Sequence, residues 1–202
     1  MSLRKAYLLI FLVLIVDQLS KIYVKTNFVL GEYGEVEVFD WFRIHFIENE
    51  GMAWGTKIPG EYGKLILTVF RIFAVFGIGY WLADAVKKRY SNYLIVAIAL
   101  IFAGAAGNIF DSVFYGVIFD ESTSHNVATM FSPNPYGTWF HGLVVDMFYF
   151  PIWQGTLPEW FPFWAGEKVR FFNAIFNVAD VAISTGVGIL LVFNKKAFPK
   201  SA

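Results

Sequence analysis

Apolar residues run almost without interruption through four stretches of the chain, roughly 6–24, 64–86, 93–110 and 172–193. Each approaches the ~20 residues an α-helix needs to cross a bilayer. The pattern therefore predicts four transmembrane helices. Between them the periodicity changes. Residues 35–47, EVEVFDWFRIHFI, open on strict alternation and stay rich in β-branched and aromatic side chains, which predicts one or two short strands. NEGMAWG, Asn49 to Gly55, reads as a turn. The 112–170 connection is too long for a plain turn. It holds a polar stretch, DESTSHNVATMFSPNPYGTW, expected to be an irregular loop, and then HGLVVDMFYFPIW, which has strand composition. Trp153, Trp160, Phe161, Phe163 and Trp164, among Pro151, Pro158 and Pro162, suit an interfacial aromatic belt.

The expected architecture is an all-α polytopic membrane protein, a single membrane-embedded domain over 1–202 with outer loops 25–63 and 111–171. Composition agrees, since 57% of residues are hydrophobic and 20% aromatic, above the apolar share of a soluble domain. The first apolar run resembles a signal peptide, but it carries Asp17 and is followed by QLSKIYVK rather than a small-residue cleavage site, so it is expected to stay as a span.

Charge is sorted by side. Arg4 and Lys5 precede the first span, Lys87, Lys88 and Arg89 join the second and third, and Lys195, Lys196 and Lys200 follow the fourth. The long loops are acidic on balance, with Glu32, Glu35, Glu37, Asp40, Glu48, Glu50 and Glu61 in one and Asp120, Glu121, Asp146, Glu159 and Glu167 in the other. The positive-inside rule puts both termini and the 87–92 loop in the cytoplasm and both long loops outside. A net charge of zero gives no basic field for nucleic acid.

Chemistry narrows by residue type. With no cysteine there is no thiolate nucleophile, disulfide or Cys-ligated metal. His45, His125 and His141 are scattered, and no H-E-x-x-H, G-x-S-x-G or phosphate-cradling glycine loop occurs. Intramembrane acids remain, and such residues are functional candidates by default. Asp17 lies roughly 18 Å up the first span, with Lys21 one turn further on the same face. Arg71 sits about 10 Å below the outer end of the second span. Asn108 and Asp111, and Asn177 and Asp180, are i,i+3 pairs near the outer ends of spans three and four. The small residues Ala103 to Gly107 predict close helix approach. All these polar groups fall at one depth, which points to one polar site. Two neighbouring carboxylates sharing a proton would suit an aspartic protease. The same acids would also suit a small proton-coupled transporter or channel, or polar packing in a non-catalytic assembly factor.

Five pieces in order, DQLSK (Asp17 to Lys21), NEGMAWG, AGAAGNIFD ending at Asp111, GLVVDMF (Gly142 to Phe148) and FNVAD (Phe176 to Asp180), resemble bacterial lipoprotein signal peptidase, also called signal peptidase II. The resemblance implies an inner-membrane aspartic endopeptidase. It would remove signal peptides from diacylglyceryl-modified prolipoproteins by cutting just before the lipidated Cys, with no metal or other cofactor. It also implies a monomer blocked by globomycin, and an extracytoplasmic β-cradle with a short outer helix as lid. The catalytic pair carries over to Asp146 and Asp180. Asp17, Lys21, Asn49, Gly51, Asn108, Asp111 and Asn177 carry over as substrate-binding or supporting positions. Two departures stand out. Ser112 occupies a position where the family usually has a substrate-holding Arg, and Arg71 is a candidate to replace that charge. Asp120 stands at the spacing of the first catalytic Asp in compact members, while Asp146 follows an inserted loop. Asp146 is preferred for its apolar strand before and aromatics after. The insertion and DMFYFP are similar to the Bacteroidota branch.

Overall fold

The computed structural model describes residues 1–51, 59, 60, 62–160, 162 and 164–199, and of residues 154 and 168–171 the backbone alone. Residues 52–55 of NEGMAWG, and Glu61, Phe161, Phe163 and Lys200, lie outside these described residues.

Among the described residues, three helices are long and apolar enough to cross a membrane: α1 (Leu3–Asn27), α2 (Gly63–Lys87) and α3 (Asn92–Phe110), the last running on to Ile118. Ser2 and Ser91 start α1 and α3 by accepting from Lys5 N and Leu94 N, satisfying first-turn amides that have no helical partner. Large apolar side chains point outward along these helices, including Phe11 on α1 and Phe70, Phe73 and Phe76 on α2. Such surface suits hydrocarbon rather than water.

Past Phe110 the expected loop does not begin. Asp111–Tyr115 form a π-helical turn and Gly116–Ile118 a short helix, α4. This wider turn rotates Asp111 and Ser112 into the interior, where both are buried.

The predicted fourth span is corrected at its start. Helix α5 covers Val178–Val192, not the stretch from 172, and its 15 residues rise only about 22 Å. Two causes fix this boundary. Ile175–Phe176 pair as strand β6, and Asn177 caps the helix through a reciprocal box with Asp180. A short α6 (Asn194–Ala197) follows.

The connections between the helices include a four-stranded antiparallel sheet in the order β1 (Val36–Phe39), β2 (Phe42–Asn49), β3 (Val144–Tyr149), β6. Where one or two strands were expected from 35–47 there are two, β1 and β2. In the β2–β3 register Ile47, Glu48 and Asn49 face Asp146, Val145 and Val144. The aromatic segment adds a hairpin that was not predicted, β4 (Trp153–Thr156) with β5 (Lys168–Phe171). Its prolines and clustered rings masked any alternation. Among the described residues of these connections, the helical pieces besides α4 are a 3-10 turn at Glu32–Gly34 and no separate lid helix.

Helix α3 is the centre of the bundle and packs against α1, α2 and α5. Its small residues let α5 lie on its backbone: a Cβ at Gly104 would stand 2.1 Å from Ala179 O. One apolar cluster, including Ala6, Ile10, Leu82, Ile95 and Ile98, fills the end near the N-terminus. Another, with Phe46, Tyr115, Phe119, Val145 and Met147, lies between the sheet and the end of α3. The polar residues gather where α1, α3, α5 and β3 converge.

Candidate active site

Lys21 Nζ is the hub. It is fully buried and donates to Asp17 Oδ2 at 3.0 Å, Asp111 Oδ2 at 2.8 Å and Asn108 Oδ1 at 2.8 Å. An isolated buried charge would be very costly, and here three oxygens from two helices compensate it. Each acid in turn ties down backbone. Asp17 Oδ1 accepts from Ala179 N at 2.9 Å, so the first turn of α5 is held by a carboxylate from α1. Asp111 Oδ2 accepts from Val145 N at 3.3 Å, fixing β3 to the end of α3.

The amides carry this order outward. Asn108 Nδ2 donates to Asp180 Oδ1 at 2.9 Å. Asn177 is buried, and its Oδ1 accepts from Asp180 N at 2.9 Å as the α5 cap. Its Nδ2 lies 2.6 Å from Asp146 Oδ1, 3.0 Å from Asn108 Oδ1 and 3.1 Å from Val145 O. Asn49 Nδ2 donates to the other oxygen of Asp146, and Asn49 Oδ1 accepts from Gly51 N at 2.6 Å. Gly51 has φ +89°, a left-handed conformation that favours glycine.

Asp146 is thus 5% exposed with both oxygens bonded to amides, on a strand beyond the helices. Burial, with the nearby charge of Asp180 second, pushes its carboxyl up to about 8. Asp180 is half-buried on the first turn of α5, where free N–H groups favour a negative charge. The arrangement offers two carboxylates with four oxygens of fixed direction, with burial favouring a proton on Asp146, able to polarise a carbonyl and to take a proton from water.

All nine positions singled out in the sequence for this site join one network. Asp120 lies elsewhere, its Oδ1 accepting from Thr129 N at 2.6 Å within the inserted loop. The histidines stand apart from one another: His45 contacts Glu35, His125 packs near Tyr33, and His141 bonds Thr138.

A sequence model described as signal peptidase (SPase) II matches residues 9–195. The chain belongs to the signal peptidase II family. It is 51% identical over 185 residues to a lipoprotein signal peptidase of Porphyromonas gingivalis, covering 91% of this chain and 80% of that one. It is 37% identical to one from Amoebophilus asiaticus over 96% of this chain and 78% of that one. The first of these relatives is from the Bacteroidota, in line with the branch expected from the inserted loop. A bacterial membrane enzyme solved in meso at 2.3 Å shares the fold, with TM-score 0.65, 23% identity, and coverage of 98% of this chain and 93% of that one. The chain is therefore a protease of the signal peptidase II family, with a membrane-embedded helical fold carrying a small antiparallel sheet.

Against that family background, two features escaped sequence reasoning. Gln18 Nε2 donates to Asp111 Oδ1 at 2.9 Å and Asp17 Oδ2 at 3.0 Å, while its Oε1 accepts from Tyr115 OH at 3.1 Å. Its adjacency to Asp17 was the available signal. Lys25 is buried with Glu48 and Ser122 among Phe46, Phe119 and Tyr136. The i,i+4 series Asp17, Lys21, Lys25 points to it. Arg71, which the sequence offered as a candidate cation for position 112, reaches Ser112 Oγ with its Nη1 at 3.5 Å.

Proposed function

We propose that this signal peptidase II family member is an aspartic endopeptidase acting on diacylglyceryl-modified prolipoproteins, cutting the peptide bond N-terminal to the lipidated Cys. The observation that carries this reading is the pair Asp146 and Asp180, bridged by Asn108 and Asn177, with Asp146 pushed up to about 8.

Asp146 holds the shared proton at neutral pH and hydrogen-bonds the scissile carbonyl oxygen. Asp180 accepts a proton from water as the water oxygen attacks the carbonyl carbon. Asp146 passes its proton to the carbonyl oxygen, giving a neutral tetrahedral diol. The C–N bond then breaks. Asp180 returns its proton to the leaving amine, and Asp146 recovers one from the diol hydroxyl. Asn49 and Asn177 keep both oxygens of Asp146 in place throughout.

In this reading α5 makes a fourth crossing, with both termini in the cytoplasm and the site near the outer face of the bacterial inner membrane. The substrate's acyl chains stay in lipid while its Cys backbone enters from the side. The protein works as a monomer, and globomycin blocks it.

The test is a gel-shift cleavage assay in detergent comparing lipidated and unmodified prolipoprotein, with wild type, Asp146→Asn and Asp120→Asn. The expected result is cleavage of the lipidated form alone, lost in Asp146→Asn and kept in Asp120→Asn. No cleavage by folded wild type, together with proton flux in liposomes, would overturn the reading in favour of transport.

A further inference from the structure

Arg71 takes no part in the steps above, yet it lies at the rim of the site. It stands eight residues into α2, whose face is tied to the site at two points. Lys64 Nζ donates to Glu50 O at 2.7 Å, and Thr68 Oγ1 donates to Phe140 O at 3.0 Å. These bonds fix where the Arg71 side chain emerges.

Its guanidinium fills a gap between two parts of the site. On one side is Ser112 Oγ, which itself donates to Asn108 O at 3.1 Å. On the other is Gly51, where a Cβ would lie 2.1 Å from Arg71 Nη1. Both positions are small where the cation reaches across. The carboxylates whose charge acts on Arg71 are Asp111 and Asp180. Among the described residues, however, no carboxylate forms an ion pair with it, and its one side-chain hydrogen bond is the long contact to Ser112.

A guanidinium carries five N–H donors in a planar fork and no acceptor. Half-buried with one long bond, it has donors left to direct at a ligand, and leaving them unmet would be costly. The ligand that enters this site is an extended peptide, whose available acceptors are backbone carbonyl oxygens. Resting on the proposed peptidase reading, we infer that Arg71 is a substrate-binding residue whose guanidinium holds backbone carbonyls of the prolipoprotein beside the scissile bond.

The test is steady-state cleavage of diacylglyceryl-modified prolipoprotein by wild type, Arg71→Met, Arg71→Lys and the double variant Arg71→Met with Ser112→Arg. Losing charge-assisted hydrogen bonds to substrate should raise KM about tenfold or more in Arg71→Met, with kcat within about threefold. Arg71→Lys, a point charge without the fork, should fall between. The double variant should recover part of the lost affinity, because residue 112 borders the same space. The pH profile of kcat should not move.

An unchanged KM in Arg71→Met overturns the assignment. So does a fall in kcat with a shifted pH profile at constant KM, which would make Arg71 an electrostatic neighbour of Asp180 only. If Arg71→Met melts before assay, Arg71→Lys decides alone, and a wild-type KM there overturns the assignment. A wild type that cleaves no prolipoprotein sinks the peptidase reading and this inference together. A wild type that cleaves, matched by Arg71→Met, sinks this inference alone.

Discussion

Asn177 Nδ2 stands 3.0 Å from Asn108 Oδ1, and each of these two amides also donates to a different acid of the pair, Asn177 to Asp146 and Asn108 to Asp180. The two carboxylates come from a strand and a helix that are distant in sequence. This amide bridge sets their relative position. Its far end rests on Lys21, which donates to the same Asn108 oxygen.

Replacing Asn177 should therefore have two separable effects. Asn177→Ala removes the α5 cap, at a cost of about 1 kcal/mol, and the donor to Asp146. Asn177→Ser keeps a capping oxygen but no amide. Thermal melts should show Ser more stable than Ala, while cleavage rates should fall in both by roughly 10- to 100-fold. Normal kcat in Asn177→Ser would refute a role for the bridge in turnover.

The raised Asp146 carboxyl gives a defined pH dependence. Unfolded, an Asp titrates at about 3.9. Folded, burial and then the charge of Asp180 push it up to about 8. Between these values the folded protein holds a proton that the unfolded chain has released. The stability this contributes is complete below the unfolded value and is lost as pH rises through about 8. Melting temperature in detergent should fall from pH 5 to 9, and Asp146→Asn should flatten that fall. In the wild type, kcat should decline on an alkaline limb near the same pH, read as a property of the coupled pair.

Lys21→Met should be among the most damaging single changes. It leaves Asp17 and Asp111 buried without their cation, a loss of about 3–5 kcal/mol. Expression and melting should collapse. Adding Asp111→Asn should restore part of the melting temperature by removing one stranded charge, and a double variant no better than Lys21→Met would count against the charge account.

Gly104→Val tests whether helix spacing reaches the site. Its side chain would meet the backbone at Ala179 O, a contact that cannot yield by a rotamer change. Overpacking of this kind costs about 1–3 kcal/mol. Because Asp180 rides on the displaced helix one residue further on, cleavage should fall more than stability predicts. A variant that loses stability but keeps wild-type kcat would uncouple helix packing from the site.

Much of this was legible in the chain. Apolar runs placed α1, α2 and α3 to within a few residues, because crossing a bilayer demands a length of hydrocarbon-compatible helix. The i,i+3 and i,i+4 spacings of Asp17 and Lys21, Asn108 and Asp111, and Asn177 and Asp180 assigned faces and depth. The start of α5 was misplaced because Phe172 to Phe176 are as apolar as the helix that follows. Their strand pairing depends on β3, which lies far away in sequence.

By itself, the sequence determined which segments are apolar enough to enter lipid and which polar residues share a helix face, since hydropathy and helical period are local properties. It also ranked Asp146 over Asp120 by flanking chemistry. The meeting of residues 17, 21, 108, 111, 146, 177 and 180 was decided by tertiary structure alone. Buried charges and amides in a low-dielectric interior must each find partners, and the partners come from four different elements. Tertiary structure also brought Arg71 beside Ser112, a contact between helices that no spacing along the chain encodes.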